Sequence, residues 1–68
     1  MDLQIGERVG KRIIPVHDRD WVGHPVVGHV VEQPDSGFYA ITHRDECKRH
    51  DSLHDAINYI GRLWRERR

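Results

Sequence analysis

Disulfides, long apolar runs and a surplus of either charge are all missing from this chain of 68 residues. A lone cysteine, Cys47, leaves no internal disulfide to staple the fold, which suits a reducing compartment. No apolar run approaches the roughly 20 residues that span a bilayer. The opening MDLQIGERVGKR is broken by charges and lacks the apolar centre of a signal peptide. A cytoplasmic location with no membrane partner is the expectation. Eleven basic and eleven acidic residues cancel at pH 7 with histidine neutral. Domains that neutralise many phosphates normally carry a basic excess, so this balance counts against a dedicated nucleic-acid binder.

Interior volume is scarce too. A chain of this length makes a single domain, residues 1–68, and buries only about 60% of its unfolded surface. A catalytic pocket with a second layer of supporting side chains needs more than that. Neither enzymatic activity nor a cofactor is expected.

What is present divides near residue 51. RIIPVH is β-branched but contains Pro15, whose missing N–H places it on an edge strand or at a bulge. The short piece Leu3 to Val9 pairs with it across Gly10-Lys11. HDRDWVGHP is a polar connection carrying Trp21. In PVVGHVVEQ, strict alternation puts Val26 and Val30 on one face and Val27 and Val31 on the other. PDSG, Pro34 to Gly37, has a turn residue at every position. The strand GFYAITH after it sets Phe38, Ala40 and Thr42 against Tyr39, Ile41 and His43.

DSLHDAINYIGRLWRERR is an amphipathic helix. Ser52 caps it, Asp55 completes the capping box, and Leu53, Ala56, Ile57, Ile60, Leu63 and Trp64 form one apolar stripe. Asp51 and Asp55 lie at the positive end of the helix dipole, and Arg62 and Arg65 near its negative end. The expected fold is α+β: an antiparallel meander of three or four strands over about residues 3–43. One C-terminal helix, about 52–66, packs on one face. The other face is left bare. Trp21, Val27, Val31, Tyr39 and Ile41 are then the expected contacts for another protein or a second copy of the chain.

Between Val26 and Ile60, the aromatic strand leading into a helix that opens SLHDA resembles the sheet and helix of AP2-type and integrase arm-binding domains. That resemblance implies DNA reading by the bare sheet face. VVEQPDSGFYAI followed by SLHDAINYI is similar to the strand, acidic Gly turn, aromatic strand and helix of HicB-type antitoxins. The leading functional expectation is an interaction module, a regulator or inhibitor of the kind phages and mobile elements encode. The alternative is nucleic-acid binding through Lys11, Arg12, Arg44, Lys48, Arg49, Arg62 and Arg65, which requires those side chains to converge on one surface.

His43, Cys47, His50 and His54 make the spacing H-x3-C-x2-H-x3-H, with ligand types suited to zinc. All four lie on one short segment, whereas structural zinc sites draw on two separated ones. A solvated loop entering a helix explains them, and no metal is assigned. Lys48 and Arg49 would favour the Cys47 thiolate, yet a nucleophile also needs a held base and an oxyanion hole.

Overall fold

The computed structural model describes residues 3–10 and 12–66. Five strands follow in chain order: β1 Leu3–Ile5, β2 Ile13–Asp18, β3 Val26–Gln33, β4 Gly37–Thr42 and β5 Cys47–His50. The helix α1 Leu53–Glu66 comes last. Each strand pairs antiparallel with its chain neighbour, so the sheet is a plain meander. The α+β class agrees with expectation. The strand count does not: there are five, and the sheet continues to His50 instead of ending near residue 43.

β5 hides in the sequence because CKRH has no apolar alternation. Its place is set by β4, through the register from Phe38↔His50 to Ile41↔Cys47. The connecting loop is shaped by Asp45, at φ +60, and by the Thr42 hydroxyl, which accepts the Arg44 and Glu46 amides at 3.3 Å each. Lys48 and Arg49 on this outer strand discourage a further strand from adding to it.

β2 is an interior strand between β1 and β3, not an edge. Pro15 is tolerated there because its carbonyl, and hence its missing N–H, points toward β1. The Gly6 amide donates to that carbonyl at 2.8 Å, and the ladder to β1 is interrupted from Gly6 to Arg8 before resuming at Val9↔Ile13.

A bulge corrects the expected face assignment of β3. Val16 pairs with Gly28, but His17 pairs with Val26, so Val27 is an extra residue in β3. It turns into the core and is 0% exposed, while Val26 is 47% exposed. Val27 therefore belongs beneath the helix and not on a partner-binding face.

The core joins Ile14, Val16, Val27, Val30 and Ala40 of the sheet to Ala56 and Ile60 of the helix. Two glycines set how closely the layers meet. A Cβ on Gly28 would lie 2.7 Å from Ile60 Cγ2 and equally near the Ile41 carbonyl oxygen, and one on Gly61 would lie 2.7 Å from Leu3 Cδ1. The helix starts where the cap predicts: Ser52 Oγ accepts the Asp55 amide at 3.1 Å. Among the described residues, no helix is long and apolar enough to cross a membrane.

Truncating Ile60 to Ala should cost about 2–5 kcal/mol in chemical denaturation, as expected for a fully buried isoleucine. Gly28→Ala should destabilise separately, and the double variant should cost less than the sum, since a shortened Ile60 relieves part of the clash. Strict additivity would mean that the two residues do not meet.

Candidate functional site

Opposite the helix, the sheet presents two cross-strand rows. Ile13, Val31, Tyr39 and Arg49 form one; Pro15, His29, Ile41 and Cys47 form the next. Val26 and His17 extend the surface. Ile13 is 40% exposed, and Val31, Tyr39 and Ile41 are half-buried among their neighbours. At the β1 end, Gly6 packs over Pro15 and the His17 ring. Both carboxylates that lie within strands, Asp18 and Glu32, are on the helix side: Asp18 bonds Trp64 of the helix, and Glu32 sits opposite Phe38. The strand positions of the free face thus hold His17, His29 and Arg49 but no acid.

Three of the five expected partner contacts share this face: Val31, Tyr39 and Ile41. Val27 is in the core. Trp21 lies on the other side of the sheet, where its ring meets Trp64 edge-on at 5.8 Å. It is 42% exposed, in the polar β2–β3 connection. His43 meets Trp64 on another edge, at 5.3 Å. Trp64 packs on the core, as the apolar stripe predicts. It also donates from Nε1 to Asp18 Oδ2 at 2.7 Å, while Asp18 Oδ1 accepts the Asp20 amide at 2.9 Å. Asp18 is only 4% exposed, so these two donors satisfy a carboxylate that would otherwise be costly to bury.

The four candidate metal ligands are dispersed. Cys47 and His50 have opposite parities on β5: the thiol is exposed on the free face, and His50 lies against Tyr59 on the helix side, ring centres 5.0 Å apart. His43 is taken up by Trp64, and His54 is exposed on α1. Among the described residues, no three His, Cys, Asp or Glu side chains gather closely enough to hold a metal.

The basic residues also divide. Arg49 lies on the free face, hydrogen-bonded to the Ser36 carbonyl and paired with Asp51 at 2.9 Å. Arg44 is in the β4–β5 turn and Arg12 just before β2; Lys11 is outside the described residues. Lys48, Arg62 and Arg65 do meet, in a groove of about 430 Å³ between β5 and α1 that His50, Asp55, Asn58 and Tyr59 also line.

The chain matches no protein-family model, no curated protein and no solved structure. The resemblances seen in Val26 to Ile60 therefore rest on residue pattern alone. The Tyr59 groove was not legible in the sequence. Tyr59 and Arg62 could be placed together by helical spacing, but Lys48 and His50 reach them only through the unforeseen β5.

Replacing Trp64 with Phe keeps most of the ring packing and removes the donor to buried Asp18. Denaturation midpoints should show a loss of about 1–3 kcal/mol. Adding Asp18→Asn should recover part of it, because the uncharged amide is less costly to leave without that donor.

Proposed function

We propose that the chain is a non-catalytic interaction module that lays its helix-free sheet face on another protein. The observation that supports this reading is the partition of side chains across the sheet. Ile13, Val26, Val31, Tyr39 and Ile41 share the uncovered side, while the strand carboxylates Asp18 and Glu32 point to the other, where Trp64 and Arg8 bind them. An apolar surface with an aromatic centre gains free energy by leaving water, at about 25 cal/mol per Å². Arg49, at the edge of that surface, is already paired with Asp51, so the complementary partner is recognised chiefly by apolar contact around Tyr39 and Ile41.

A module of this size, using a sheet face, acts by occupying a partner's surface. Regulation or inhibition by occlusion, as in small phage and mobile-element proteins, is the corresponding activity. The nucleic-acid reading of the sheet face has less support, since among the described strand residues only Arg49 of the basic set lies there.

Light scattering should find the isolated chain monomeric. A partner recovered from the native host and then purified should bind directly, with Tyr39→Ala and Ile41→Lys each weakening its Kd at least tenfold while circular dichroism is unchanged. Equal binding by both variants, with the helix-side control Arg62→Ala as the sensitive one, would place the interface elsewhere.

A further inference from the structure

We infer that the groove between β5 and α1 is a phosphate-binding site, independent of the sheet face. Lys48 Nζ lies 5.3 Å and Arg62 Cζ 5.4 Å from the centre of the same Tyr59 ring, and Arg65 lines the groove beside them. Three cations face a single lining carboxylate, Asp55. A chain with no net charge has thus concentrated a positive excess in one place.

The cations are little engaged by the protein itself. Among the described residues, neither Lys48 nor Arg65 has an ion pair. The Arg62 pair with Glu66 is at 4.0 Å, with both side chains more than half exposed. Such an exposed pair holds its members weakly. His50 forms a wall of the groove against Tyr59, and its Nε2 is shielded from water without a hydrogen-bond partner. Like charges crowded around one ring repel, and a bound anion removes that repulsion. A phosphate group fits the donor set: a planar guanidinium fork from Arg62, a compact ammonium from Lys48 and the Asn58 amide.

The phosphate could be a free or small-molecule ester or part of a nucleic-acid backbone, and one titration separates these sources. Backbone amide resonances should be followed with sodium phosphate against sodium chloride at matched ionic strength, and separately with a short oligothymidylate. The expected result is saturable movement centred on Lys48, Tyr59 and Arg62, with affinity falling at least tenfold in Lys48→Ala/Arg62→Ala. Arg12→Ala should bind as the unaltered chain does. Saturation by phosphate alone identifies the small-ester source. Saturation only by the oligonucleotide, steeply weakened by salt, identifies the backbone. Shifts elsewhere, no saturation with either probe, or full binding by the double variant would overturn the assignment. The exposed Lys48 and Arg62 side chains bear little on folding, and unchanged circular dichroism of the double variant checks that directly.

Discussion

Ile60 reaches the sheet through a gap that only a glycine leaves, at Gly28, and Leu3 reaches the helix through the same kind of gap at Gly61. These two close approaches lock α1 at one distance and one orientation over β3, β4 and β5. Everything that distinguishes the two sides of the sheet follows from that seating. The covered side receives Ile14, Val16, Val30 and Ala40 together with the buried Asp18. On the opposite side Ile13 and Val26 stay exposed and Val31, Tyr39 and Ile41 half-buried, while Pro15 is buried beside Gly6. A side chain at Gly28 would lift the helix, and with it the cover of a core that has no disulfide to fall back on.

The bulge in β3 refines the same division. With uninterrupted alternation, Val27 would stand on the free face and Val26 in the core. One extra residue exchanges them, gives the core a fully buried valine and sets a half-exposed one beside His17. The free face and the Tyr59 groove then lie on different sides of the molecule. A partner laid on Tyr39 and Ile41 would leave Lys48 and Arg62 uncovered, so the two surfaces are available to different ligands at once.

Local chemistry was legible wherever a residue's neighbours in sequence are also its neighbours in space. Ser52 caps α1 as read, Ala56, Ile60 and Leu63 of the apolar stripe are buried, and the strands on either side of Pro34 pair as an antiparallel hairpin as read. The loop between the strands is Pro34 to Ser36, because Gly37 already pairs with Gln33 as the first residue of β4. Pro15 was read as the mark of an edge strand or a bulge; β2 is interior, and its pairing with β3 does carry a bulge, one residue beyond Val16. Pro15 itself marks a point inside the sheet where the ladder to β1 is interrupted. β5 was invisible because edge strands need no apolar pattern, and its charged sequence serves to stop further pairing.

The candidate site shows the same boundary. Val31, Tyr39 and Ile41 were correctly grouped, since alternation within a strand is enough to place them. Trp21 stands apart from them, since its partner Trp64 is 43 positions away and the contact follows from how the helix lies. His43, Cys47, His50 and His54 look like one cluster in a line of text, but strand parity turns Cys47 and His50 to opposite faces.

Period and cap alone therefore determined that this chain makes hairpins followed by one amphipathic helix, because those signals act between residues a few positions apart. Which valine enters the core, which cations gather around Tyr59 and which sheet face stays open were decided only when the strands and helix packed. Those outcomes depend on register, a bulge and the space above two glycines, and such distances exist only between segments that the folded chain brings together.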